Sequence, residues 1–332
     1  MTRITILLFC LISLSSIGQE PYYQNLKSSH GLASNNVYYC FQDHQGYMWL
    51  GTDLVVSRFD GYSFEKFDHE DGLLGNEIFQ IYQDSKERIW FLSLNGELGY
   101  YKDGSFHNSR NTSWLANYHS ESFISSIIET ANGDLFIASN DSTISKLNSD
   151  NKFTTFVAGT KNYKFWIDHG ALHLLTFEGI RQYKNGGFEL DEKTRFNKAF
   201  PLALFYKDAL YIGYTNNILL YSGGTKEVLN LPEGADITWV GPTKHEDLLV
   251  GTRDGLYFYD VKTRQISVDK SMDGSIITSS FYDQEGNLWI SSLGNGIFFS
   301  PQPEILIYDN DSQIPVKQIT TIERGLDNSL WI

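Results

Sequence analysis

The side chains that could do chemistry are plentiful but unorganised. The 332-residue chain has 40 acidic residues and eight histidines. Glycoside hydrolysis needs two carboxylates held a fixed distance apart, and with so many acids in loops no sequence pair stands out. The histidines at 30, 44, 69, 107, 119, 169, 173 and 245 follow no metal-ligand spacing. There is neither a G-x-S-x-G elbow nor an H-E-x-x-H motif. The stretch "DNDS" (Asp309–Ser312) begins like a calcium loop but lacks the glycine and the distal glutamate. These residues predict no catalytic set, no metal and no cofactor.

One constellation does recur. "DHQGYMWLGT" spans Asp43–Thr52 and "DQEGNLWISS" spans Asp283–Ser292. Asp43 and Gly46, like Asp283 and Gly286, stand three apart in what reads as a hairpin turn. Aspartate offers turn amides an acceptor and glycine tolerates positive φ. A sialidase-type Asp-box would put Asp and Gly two apart. Trp49, Trp90, Trp289 and Trp331 are expected to pack between structural units. A structural role therefore outweighs a chemical one for Asp43, Gly46, Trp49, Gly51, Trp90, Asp283, Gly286 and Trp289.

The elements that position these residues follow from a repeat. Apolar trios centred on Trp49, Trp90, Phe136, His173, Tyr211, Leu249, Trp289 and Trp331 recur about every forty residues. Each unit breaks into runs of four to eight residues rich in Val, Tyr, Phe and Trp, punctuated by Gly, Asp and Asn, with no sustained helical period. Aromatics are 15% of the chain, which suits half-buried pleated surfaces. Four short antiparallel strands per unit make one blade of a β-propeller. The expected fold is all-β: a seven-bladed propeller over 19–303, followed at 304–332 by the start of a further blade or second propeller, cut short. A ring must hide its edge strands. "YYQNLKSSHGLASNNV" (Tyr22–Val37) aligns without gaps to Ser63–Ile78, so Tyr22–Leu26 could supply the outermost strand of the last blade. Glu304–Tyr308 competes for that place.

A short basic start, the apolar run Ile4–Leu14 and small residues at Ser16 and Gly18 predict a signal peptide over 1–18, hence export to the periplasm. Its removal would leave Cys40 as the single cysteine, with no intrachain disulfide. The net charge of -14 repels nucleic-acid phosphates and anionic membranes, so neither is an expected partner.

The first repeat resembles the two-component regulator propeller repeat: Gly31, Leu32, Asn35 and Val37, then Asp43, Gly46, Trp49, Gly51 and Thr52, then Arg58, Asp60 and Gly61. The last full repeat matches at Asp283, Gly286, Trp289 and Gly296, and the sixth at Gly251, Thr252, Gly255 and Leu256. Repeats three to five are degenerate. This resemblance implies the periplasmic sensor region of a hybrid two-component sensor kinase. It further implies a second propeller, a membrane helix and signalling domains as partners in a longer protein, with a homodimer as one arrangement of the whole. Any histidine kinase activity would lie in those further parts. The chain itself is expected to be no enzyme but to bind a ligand such as an oligosaccharide. The alternative is an exported propeller enzyme acting on polysaccharide. Inserted loops in repeat proteins tend to share the binding face, and the widest trio spacing comes from Asn108–Ser122. Trp114, Tyr118 and His119 in that loop are the expected ligand contacts.

Overall fold

The structure is a computed structural model that describes residues 22–193, 202–222, 225–244 and 247–301, with the short pairs 323–324 and 330–331. The signal peptide expected at 1–18, the strand expected at Glu304–Tyr308 and "DNDS" lie outside the described residues.

Seven four-stranded antiparallel sheets form the blades. The first strands of successive blades, such as Val37–Gln42, Ile124–Glu129, Asn162–Asp168, Ile237–Pro242 and Ile276–Tyr282, pack side by side around a central channel. The second strand of each blade carries the apolar trio. Met48–Thr52, Ile89–Ser93, Leu135–Ser139 and Leu248–Thr252 are buried at every residue. Such a strand has a paired neighbour on each edge and another blade on each face. It therefore reads as a continuous apolar run rather than an alternation. The fourth strand is outermost and half-solvated, as at Phe64–Phe67.

Seven apolar clusters fill the seven blade interfaces. Trp49 stacks on Phe67 of its own blade and meets Phe91 and Tyr101 of the next. Gly51 is required here, because a Cβ would lie 2.2 Å from the Ile78 carbonyl oxygen of blade 2. The threonine after it caps the next turn. Thr52 Oγ1 donates to Val55 O, and Thr252 Oγ1 to Gly255 O. The "GT" of the repeat thus couples a close blade approach to a capped hairpin.

The ring closes through the N-terminal strand. Gln24–Leu26 pairs with Ile297–Ser300 as the fourth strand of blade 7, with Gln24 opposite Phe299 and Leu26 opposite Ile297. Gly296 N–H donates to Asn35 O at 2.8 Å, and Tyr23 Oη to Asp269 at 2.9 Å. Beyond the ring, Glu323–Arg324 pairs with Leu330–Trp331.

Candidate functional site

The recurrent Asp–Gly–Trp residues are fully engaged in holding their own turn. Asp43 Oδ1 accepts the N–H groups of Gln45 and Tyr47, and its Oδ2 accepts Trp49 Nε1 at 2.7 Å. Gly46 follows at φ +92°. Asp84 treats Lys86, Arg88 and Trp90 the same way and also pairs with Arg88 Nε at 2.6 Å. Asp283 serves Glu285, Asn287 and Trp289, with Gly286 at φ +90°. Trp49 and Trp90 are wholly buried and Trp289 nearly so. Both carboxylate oxygens of each of these three aspartates are thus taken up by the turn.

The inserted loop does not present its aromatics as expected. Leu115–Asn117 makes a 3-10 turn that folds the loop back on blades 2 and 3. Tyr118 is buried against Phe153, and Trp114 is half-buried, stacked on Tyr100 and beside Trp90. Large rings stabilise more when they leave water than when they wait for a ligand. His119 is exposed. It lines, with the buried edge of Tyr118, a recess of about 380 Å³.

A second recess, of about 490 Å³, adjoins the first through Asn95. Antiparallel topology puts the turns after strands two and four of each blade on one face, opposite the Asp–Trp turns, and both recesses lie on that face. Asp53, Glu77, Leu94 and Asn95 line the larger one. Tyr38, on the inner strand of blade 1, stands beside it. Its phenol pKa is raised by desolvation and then by the Glu77 and Asp53 carboxylates. Asn95 is held in place: Nδ2 donates to Leu74 O and Glu97, and Oδ1 accepts from Ser93 Oγ. Asp53 Oδ2 accepts Asn36 Nδ2 at 2.7 Å, whereas Oδ1 is buried and has no partner among the described residues. A buried acceptor without a donor costs about 1–3 kcal/mol, and a ligand hydroxyl or amide would recover that cost only if the wall shifted to open this oxygen to the recess. Leu94, 49% exposed, adds an apolar contact at the rim. Among the described residues no basic side chain lines this recess. The arrangement suits an uncharged, donor-rich ligand and disfavours an anion. Asp53 and Glu77 were missed in the sequence because each sits in an ordinary polar turn and only the ring brings the two turns together.

On the opposite face Asp168, His169 and Asp208 place their ligand-type atoms within 4.8 Å of one another, a grouping their sequence spacing did not suggest. His169 Nδ1 lies 2.5 Å from Asp168, and His169 and Asp208 are exposed. Among the described residues no helix is long and apolar enough to cross a membrane.

Residues 31–53 match the two component regulator propeller model, so blade 1 carries that repeat. No functionally curated protein is detectably similar in sequence. Among solved structures, the chain is similar to the extracellular domain of a protein described as a hybrid two component system from B. thetaiotaomicron. The TM-score is 0.70 at 20% identity, over 85% of this chain and 42% of that one. A second such domain from the same organism gives 0.68 at 18% identity, over 85% and 40%. The chain thus spans about two fifths of those domains' length. Virginiamycin B lyase from Staphylococcus aureus gives 0.68 at 15% identity, over 85% of this chain and 99% of the lyase. At such identities these likenesses establish the propeller fold, which sensors and an enzyme share.

Proposed function

We propose that this chain is the extracytoplasmic, ligand-sensing propeller of a two-component signal transduction protein of the sensor kinase type, and that it performs no catalysis itself. The ligand is an uncharged polyhydroxylated molecule such as an oligosaccharide, taken at the recess between blades 1 and 2. The observation that carries this reading is an open polar recess whose described lining combines Asp53, Glu77 and Asn95 with the exposed Leu94 and holds no basic residue. The regulator-propeller repeat and the likeness to sensor domains support it. Location in the periplasm, a second propeller, a membrane helix and signalling domains belong to the same proposal, as parts of a longer protein.

The test is a binding screen of neutral oligosaccharides against the purified chain, with product analysis of each mixture. The expected result is saturable binding without turnover, weakened about tenfold in Asp53→Ala, in line with loss of a hydrogen bond to a charged acceptor. Release of shortened or unsaturated sugar would instead favour the propeller-enzyme reading.

A further inference from the structure

Blades 5 and 6 enclose an open recess of about 340 Å³. Its described lining gathers around the turns after strands one and three, on the face of the Asp–Trp turns. The equivalent place between blades 1 and 2 is full, and strand register shows why. In blade 1, Trp49 stands opposite Arg58 and Arg58 opposite Glu65. Arg58 lies over the Trp49 ring, forms an ion pair with Glu65 and donates to the Tyr101 hydroxyl of blade 2 at 3.2 Å. In blade 5 the same three positions hold Tyr211, Leu220 and Glu227. Tyr259 of blade 6, opposite Leu248, stands where Tyr101 stands opposite Ile89. With tyrosine for tryptophan and leucine for arginine, this interface loses ring volume and the donor that serves the next blade's tyrosine.

Two phenol groups are left over. Tyr211 and Tyr259 are 3% and 2% exposed, and both line the recess. Among the described residues neither hydroxyl has a hydrogen-bond partner. The Tyr163 hydroxyl is sealed from solvent in that state, but these two are not. Each ring is therefore buried while its oxygen stays open to the recess. Burial pushes the Tyr259 phenol pKa up, Arg264 draws it down and Glu227 raises it, so the oxygen sits in the field of both charged groups. Charge around the opening is mostly positive. Lys207 comes from the inner hairpin of blade 5, and Lys262 and Arg264 from the outer turn of blade 6. Glu227 is the one carboxylate in the described lining, and it pairs with Arg264. Asp260, beside Lys262, is engaged in its own turn, accepting the N–H groups of Lys262 and Thr263. This is the reverse of the recess between blades 1 and 2, whose described lining is acidic.

We propose that the recess between blades 5 and 6 binds a small dicarboxylate, one carboxylate taking the Tyr211 and Tyr259 hydroxyls with Arg264, the other the Lys207 and Lys262 ammonium groups at the exposed mouth. Three cations against one carboxylate leave an excess of two positive charges, which two carboxylates balance. The cations stand on two separate turns, which suits charges held apart better than one compact phosphate. Phenol donors without partners favour an ionised acceptor, because charge-assisted hydrogen bonds are the stronger kind. Leu220 and Val261 offer apolar contact to the carbon chain between the two carboxylates. This site does not depend on the neutral ligand proposed for the recess between blades 1 and 2.

The probe is succinate, titrated into the purified chain by calorimetry. The expected result is a saturable heat that neither succinamide, its uncharged counterpart, nor sodium chloride at equal ionic strength reproduces. Acetate and methyl phosphate should bind more weakly. Tyr211→Phe and Tyr259→Phe remove oxygens that bond nothing in the folded protein. Each should keep the fold and weaken succinate binding by about tenfold or more, the range for a hydrogen bond to a charged group. Leu220→Arg installs the residue of blade 1. It should give Tyr259 a partner, fill the recess and abolish binding without loss of thermal stability. The proposal fails if the wild type shows no saturable binding, or if succinamide binds as well as succinate. It fails equally if methyl phosphate binds more tightly, or if the Tyr211→Phe/Tyr259→Phe double variant or a folded Leu220→Arg chain binds succinate unchanged.

Discussion

Blades 1, 2 and 7 and blades 4 and 5 solve the same hairpin in different ways. In the first group the turn after the inner strand leaves five residues unpaired, between Gln42 and Met48, Gln83 and Ile89, or Tyr282 and Leu288. A buried aspartate organises each turn and anchors a tryptophan. In blades 4 and 5 the pairing runs on to Asp168–Ala171 and Tyr206–Ala209, leaving two residues. These take the left-handed backbone of a type I′ turn: His169 and Gly170 at φ +46° and +81°, Lys207 and Asp208 at +50° and +57°. A two-residue turn needs no aspartate and holds no tryptophan, so His173 and Tyr211 fill the corresponding place. What looks like decay of a motif is a change of turn type, and the trio spacing shortens because the loop does.

If this distinction is right, damage to the aspartate should be severe in one group and the matching change mild elsewhere. The largest effect is expected at Asp84. Asp84→Ala removes the partner of the buried Arg88 and of the Trp90 indole, and should cost about 3–5 kcal/mol by urea unfolding, the range for a broken buried pair. A cost near 1 kcal/mol would show that the turn is over-determined.

Lys164 tests blade 4 at intermediate size. Its folded pKa of about 8 lies below the ordinary 10.5. Below pH 8 the amine is protonated both folded and unfolded, and the folded state carries the full desolvation cost. Between pH 8 and 10.5 the folded amine loses its proton first, the cost is relieved and this group's contribution to stability improves. Lys164→Met should therefore be more stable than the wild type at pH 7, by on the order of 2 kcal/mol allowing for partial exposure, since one pKa unit is about 1.4 kcal/mol. The gap should close by pH 10.5. A constant gap would mean that packing, not charge, sets it.

Blade 3 lies between the two designs. It keeps the five-residue turn but has Thr130 in place of aspartate, donating through Oγ1 to Asp134 O and Asn132. Thr130→Ala should cost about 1 kcal/mol, one ordinary hydrogen bond. The smallest effect is expected at His169, where asparagine tolerates the left-handed backbone better. His169→Asn should raise stability by a few tenths of a kcal/mol, on the order set by turn-residue entropy. A loss there would mean that the His169–Asp168 contact outweighs backbone preference.

The blade count was legible because every second strand is buried on both faces and must be apolar throughout. The turn role of Asp43, Asp283 and their glycines was legible because it is local. The choice of closing strand was not, since Tyr22–Leu26 and Glu304–Tyr308 have equally suitable compositions and only long-range pairing separates them. The depth of Trp114 and Tyr118 was not legible, because a polar loop around them says nothing of the 3-10 turn that folds them inward. Lys164 was hidden for another reason. A one-residue register change moves a side chain to the other face of its strand, and the irregularity at Asn162–Lys164 decides what it faces.

The strand that completes the ring is made first and used last. Gln24 finds its partner only when Phe299, at the other end of the ring, is in place, so an interval separates the start of folding from closure. Throughout it, blade 7's place is empty and the Trp289 face of blade 1 is uncovered. The nascent ring is therefore an open crescent with a sticky rim at either end. It is then that a second nascent copy could donate its own leading strand, so the step most exposed to error is the last stitch, not the formation of any one blade.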